Sequence, residues 1–240
     1  MAESLIKQLI EKISGSLSNS GATAVGLSIG SSSVKLVELK KTGKTWKLLH
    51  FGIVQLAEDI IVNREIVNPI SVTESIKSLL NQISLSNKMV TTALSGTSLI
   101  IKRMNIDAPD AKDLQEQVFW EAEQYLPFDV SEVVMDFQLL SRSKDNKADV
   151  ILVAVKKSVL DTYMTCIEDA GLKAKIVDAD FFALQNLYEA NYPPNPSEAV
   201  AIVDIGASAL KLVVVQAGVP VFTKDSAVGQ VAMAERFLRK

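Results

Sequence analysis

GLSIGSSSVKLVEL, residues 26–39, is an apolar strand that runs into a glycine–serine bend and returns as a second strand. IVDIGASALKLVVV, residues 202–215, repeats it at an offset of 176 residues, with Ile29/Ile205, Gly30/Gly206, Ser32/Ser208, Lys35/Lys211, Leu36/Leu212 and Val37/Val213 in common. In each copy a small-residue bend lets an anion approach backbone N–H groups, and the glycine is expected to take a positive φ there. The serine hydroxyls add donors. Lys35 and Lys211, on the returning strands, could reach a phosphate as point charges. Asp204 could hold Mg²⁺, an ion that keeps much of its water and needs only one or two carboxylates. At the matching position the first copy has Ser28. A single glycine–serine hairpin is a common structural device, whereas two copies, each opening a new α/β unit, suggest related halves facing one cleft.

Between the copies the pattern alternates. AVGLSIG, SVKLVELKK and WKLLHFGIVQL read as three neighbouring antiparallel strands, and SVTESIKSLLNQISL follows as a helix with Ser71 or Thr73 as its cap. VTTALSGTSLIIKRMNI returns to strands. The next helix opens at Pro109 and Asp110, sets Leu114, Val118, Ala122, Tyr125 and Leu126 on one face, and ends at Pro127. Two strands then flank a polar turn at 144–147, a helix stops at Gly171, and a strand and a helix lead to YPPNPSE, residues 192–198, a proline joint. Ahead of all this, Leu5, Ile6, Leu9, Ile10, Ile13 and Leu17 form one helical stripe, so residues 1–20 read as an amphipathic helix and linker.

Composition narrows the function classes. A net charge of −3 offers no basic surface for a phosphate backbone, which argues against nucleic acid. One cysteine and one histidine, His50, exclude an internal disulfide, a zinc cluster and a Ser-His-Asp triad, and leave His50 a structural role. No secretory segment and no apolar run of about 18 residues points to export or a membrane span, so a soluble, intracellular chain is expected.

The two turns, with ALSGTSLIIKRM, WEAEQYLPFDVSEVVMDFQLL and GLKAKIVDADFFALQNL between them, resemble the PilM family, actin-like cytoplasmic proteins of type IV pilus assembly that are similar to the cell-division protein FtsA. The resemblance runs over about residues 24–230. It implies an α/β actin-like (ribonuclease H-like) fold: a first domain over 21–192, an FtsA-type subdomain inserted at about 89–148, and the start of a second domain over 193–240, incomplete in this chain. It also implies ATP or ADP with Mg²⁺ held by Gly30, Ser31, Ser32, Ser33 and Lys35 of the first turn and by Asp204, Gly206, Ala207 and Ser208 of the second, with Asp204 at the metal. Ser28, in place of the family's aspartate, weakens the case for hydrolysis, because phosphoryl transfer depends on positioning of the metal.

The partner so implied is the N-terminal cytoplasmic peptide of a PilN-like inner-membrane protein, held in a groove between core and inserted subdomain; other pilus assembly proteins or a second copy are further partners. Membrane association is then indirect, at the cytoplasmic face. Trp120 points away from its helix's apolar stripe, between Glu116 and Glu123, and is expected on or beside that partner-facing surface. A nucleotide-free adaptor and a small-molecule kinase of the same superfamily are the alternatives.

Overall fold

The first hairpin sets the main sheet. A computed structural model describes residues 22–107, 114–143, 145, 147–193 and 195–238. Strands β1 (Thr23–Ile29), β2 (Ser33–Thr42) and β3 (Thr45–Gln55) pair antiparallel in sequence order. Two short strands, β4 (Ile61–Val62) and β5 (Glu65–Ile66), lead to helix α1 (Pro69–Gln82), which returns the chain to β6 (Met89–Leu94), parallel to β1. Helix α1 is capped by Asn68, whose side-chain oxygen accepts the Ser71 N–H at 3.1 Å, with Pro69 in the first turn. The cap is therefore Asn68 and neither Ser71 nor Thr73; Thr73 is buried, its hydroxyl donating to the Cys166 carbonyl at 3.5 Å.

Strands β7 (Leu99–Asp107), β8 (Val133–Arg142) and β9 (Lys147–Lys156) form a separate sheet in the order β7–β9–β8. The boundary expected near residue 89 is thus corrected, because Met89–Leu94 completes the main sheet and the separate sheet runs from Leu99 to Lys156. Helix α2 (Leu114–Ala122) covers one face of it with Leu114, Val118 and Ala122. It closes at Ala122, whose carbonyl accepts the Tyr125 and Leu126 N–H groups; both lie past the helix, where Leu126 still packs on the expected face and Tyr125 is exposed. The expected Pro109–Asp110 start, and the N-terminal helix over 1–20, lie outside the described residues.

Helix α3 (Lys157–Asp169) then leads through Gly171, at φ +84°, to β10 (Lys173–Ala179), and the main sheet closes in the order β10–β6–β1–β2–β3. Its core joins Leu27, Val34 and Leu36 of the hairpin to Val72, Ile76 and Leu79 of α1 and Tyr163, Cys166 and Ile167 of α3. Burial pushes the Cys166 thiol up, which keeps it an unreactive core group. Helix α4 (Asp180–Asn191) carries the chain to the second antiparallel sheet, β11 (Ala199–Ile205), β12 (Leu210–Gln216) and β13 (Val219–Ser226), and to α5 (Gln230–Leu238). β11 and β12 pair in the register of β1 and β2 displaced by the same 176 positions, from Thr23↔Lys40 to Ala199↔Gln216.

His50 has the structural role expected of it. Its Nδ1 lies 2.8 Å from Oε2 of Glu38, which is fully buried beneath α1, while the Ser86 N–H and hydroxyl both donate to Oε1. Burial alone would push this carboxyl up; the Ser86 and His50 hydrogen bonds outweigh it and hold the group below the ordinary carboxylate range. A depressed folded pKa means that the stabilisation is present above the unfolded pKa and is lost as pH falls through the lower folded value. Glu38→Gln is therefore expected to cost about 1–3 kcal/mol at pH 7. In thermal denaturation the gap in Tm between wild type and variant should narrow from pH 7 to pH 3.

Candidate functional site: paired turns and an apolar groove

The two sequence-related turns meet. In the first, the Gly30 N–H donates to the Ser33 carbonyl at 3.0 Å; in the second, the Gly206 N–H donates to the Ala209 carbonyl at 2.8 Å. The Ser208 hydroxyl lies 2.8 Å from that of Ser31, 177 residues away in sequence, so the turn tips touch. Neither glycine has a positive φ, contrary to expectation. Space is the constraint at Gly206, where a Cβ would come within 3.2 Å of the Ala209 carbonyl that closes the turn; at Gly30 the matching contact would be an ordinary 3.4 Å.

The expected site residues divide on inspection. Gly30, Ser31 and Ser32 stand at the first tip and Gly206, Ala207 and Ser208 at the second, with Ser32 and Ser208 exposed. Ser33 is buried at the start of β2, so its hydroxyl is not presented to the cleft. Lys35 is exposed and sits opposite Ser28 in the hairpin register, as Lys211 sits opposite Asp204. Lys211 is not a free phosphate ligand. Its ammonium is ion-paired with Asp180 at the start of α4 and lies 3.8 Å from Asp204. Burial pushes the Asp180 carboxyl up while Lys211 draws it back down.

The sequence reading missed what clamps this arrangement. Arg64, in the β4–β5 turn, is ion-paired with Asp225 of β13, and both side chains are largely buried between the lobes. No local signal links two residues so far apart in the chain. The N-terminus of α5 clamps the second turn, the Gln230 and Val231 N–H groups donating to the Gly206 and Ala207 carbonyls at 2.9 and 3.1 Å. Gly229 makes this approach possible, since a Cβ there would fall 2.4 Å from the Ala207 carbonyl oxygen. The glycine in AVGQ was the available clue.

A second feature lies on the other side of the inserted sheet. Strand alternation turns Met135, Phe137 and Leu139 of β8, and Val150 and Leu152 of β9, towards α2. Val134, Asp136 and Gln138, with Ile151, Val153 and Val155, face the opposite way into a groove of about 600 Å³. Leu160 and Met164 of α3, Ile176 to Ala179 of β10, and Phe182 and Gln185 of α4 form the remaining walls. Trp120 is 66% exposed on the outside of α2, with the three-stranded sheet between it and the groove. The helical stripe that buries Val118 and Ala122 turns Trp120 outwards, as expected, and so onto the face of the subdomain opposite the groove.

No described helix is long and apolar enough to cross a membrane, and no cluster of three or more metal-ligating side chains forms among the described residues.

A family model described as type IV pilus assembly protein PilM matches residues 26–240. Among solved structures, the chain is similar to one in a PilM–PilN type IV pilus biogenesis complex, at 26% identity and a TM-score of 0.81, covering 90% of this chain and 65% of that one. The cytoplasmic domain of EpsL, an inner-membrane component of the Vibrio cholerae type II secretion system, aligns at 17% identity and a TM-score of 0.55, over 86% of this chain and 71% of that one. A Bacteroides thetaiotaomicron protein of actin-like ATPase fold aligns at 11% identity and a TM-score of 0.50, over 92% and 76%. The fold is therefore actin-like, and the chain spans just under two thirds of the length of the PilM–PilN relative.

Gly229→Ala tests the clamp. Forcing a methyl group against the Ala207 backbone should cost about 1–3 kcal/mol, read as a drop in thermal midpoint of about 2–10 °C.

Proposed function

The chain belongs to the family of the type IV pilus assembly protein PilM, and from that membership we propose that it is a cytoplasmic, nucleotide-responsive scaffold of type IV pilus assembly. It holds the N-terminal cytoplasmic peptide of a PilN-like inner-membrane protein in the groove between inserted subdomain and core. The observation that carries this reading is the groove itself: about 600 Å³, walled largely by aliphatic side chains and bounded by β10, an edge strand of the main sheet. A cavity of that size and lining suits a short apolar segment. The similarity to the PilM–PilN complex supports it. Through such a peptide the chain would sit at the inner-membrane face.

The paired turns fit the phosphates of ATP or ADP, which would replace the Ser31–Ser208 hydrogen bond with contacts to both tips and to Lys35. They fit Mg²⁺ in part. Asp204 supplies one carboxylate, while Ser28 supplies no charge in the equivalent place. Binding, rather than turnover, is the role assigned to this site. The lobes that a nucleotide would move are joined through α4, which begins at the Lys211-paired Asp180 and also lines the groove, so nucleotide and peptide are coupled in this reading. A nucleotide-free adaptor is favoured by the same Ser31–Ser208 contact and by Ser28. Trp120 is assigned to a second protein contact, on the α2 side.

Two experiments test the reading. In titrations of ATP and ADP, Lys35→Ala and Asp204→Ala should each weaken binding about tenfold, and Ser28→Asp should strengthen Mg²⁺-dependent binding; unchanged affinity in all three favours the adaptor. In titrations of the partner's N-terminal peptide, Val153→Asp should weaken binding at least about tenfold by placing a charge against an apolar segment. Trp120→Ala should leave that affinity within about twofold, as expected of a surface substitution away from the contact.

A further inference from the structure

The groove is apolar but not neutral. Its charged lining side chains among the described residues are two carboxylates, Asp136 on β8 and Asp178 on β10, one from each wall, and no lysine or arginine lines it. Asp136 Oδ1 accepts the Phe137 N–H at 2.8 Å, and Asp178 Oδ1 accepts the Ala179 N–H at 2.8 Å, so both carboxyl groups are held by backbone at fixed positions. Burial pushes the Asp178 carboxyl up, the Ala179 N–H draws it part of the way down, and a second carboxylate, Asp180, adds to the push; Asp180 itself is paired with Lys211. An ionised carboxylate in apolar surroundings is costly unless a cation accompanies it.

We propose that the groove selects a basic–apolar segment, in which a Lys or Arg side chain reaches Asp178 and Asp136 while flanking aliphatic side chains fill the walls. This inference rests on the peptide-binding reading and narrows it. The kind of partner it fits is the cytoplasmic flank of a membrane-spanning helix, because such flanks carry an excess of Lys and Arg. Apolar contact then supplies affinity, and the carboxylates supply register and rejection of acidic or wholly neutral segments. An arginine suits the site well, since its planar fork pairs with a carboxylate through two parallel hydrogen bonds.

The test uses the full chain and two synthetic peptides. One covers the N-terminal cytoplasmic segment of the organism's PilN-like protein; in the other each Arg is replaced by citrulline and each Lys by norleucine. Titration calorimetry against wild type, Asp178→Asn, Asp136→Asn and Val153→Asp is expected to give at least about tenfold tighter binding of the basic peptide to wild type, the worth of a charge-assisted hydrogen bond. In Asp178→Asn that preference should fall to about threefold or less. Equal affinity of both peptides for wild type, or a preference that survives in both Asn variants, overturns the inference while leaving the groove reading in place. Full binding of the basic peptide to Val153→Asp, or no binding of either peptide to wild type, removes the groove reading and the inference with it.

Discussion

The hydrogen bond between Ser31 and Ser208, 2.8 Å long, closes a loop of 177 residues in the chain. One exposed hydroxyl pair does not repay the entropy of closing such a loop. What holds the tips together is the pair of buried ion pairs behind them, Arg64–Asp225 and Lys211–Asp180, and the apolar contact of Phe181 with Val213 and Val215. Removing one member of such a pair leaves the other charge buried and unpaired, which costs more than the pair contributes. These contacts fix where the second lobe sits, and that position sets both the meeting of the turns and one wall of the groove.

Helix α4 is where the two sites join. Asp180, at its start, meets Lys211; Phe182, Gln185 and Asn186 further along line the groove; and the Gln185 side-chain amide donates to the Gly218 carbonyl, in the turn between β12 and β13, at 3.0 Å. In the proposed coupling, this helix, in contact with both lobes, carries a displacement of one to the groove on the other. The two turns differ at one acidic position, Ser28 against Asp204, so in the proposed nucleotide reading only the second turn offers a carboxylate.

The parts of this arrangement governed by local rules were legible in the sequence. The two hairpins announced themselves by repetition, and β1 to β3 and helices α1, α3 and α4 followed from periodicity and from Gly171. Where local signals competed, the reading slipped: Asn68 with Pro69 outcompeted Ser71 as a cap, and Met89–Leu94, an alternating strand like those after it, joined the main sheet because β1 was the open edge beside it. Lys211 looked identical to Lys35, and only tertiary burial beside Asp180 separates them. The groove was implied only by the resemblance and not by the residues themselves, for a related reason. β9 is apolar on both faces, and a doubly buried strand reads as a continuous apolar run that does not say which face meets a helix and which meets a partner. Trp120 was correctly turned out of its helix stripe, but a helical wheel carries no information about what lies across the sheet.

The central claim is that nucleotide at the paired turns and peptide in the groove bias one arrangement of the lobes. Binding free energies are reciprocal, so one titration series measures the coupling directly. Peptide affinity for the full chain, determined with and without saturating Mg²⁺-ATP, is predicted to differ by at least about fivefold, and Arg64→Ala, which unpairs Asp225, is predicted to reduce that difference. Identical peptide affinities in the two conditions, with ATP shown to be bound, would contradict the account.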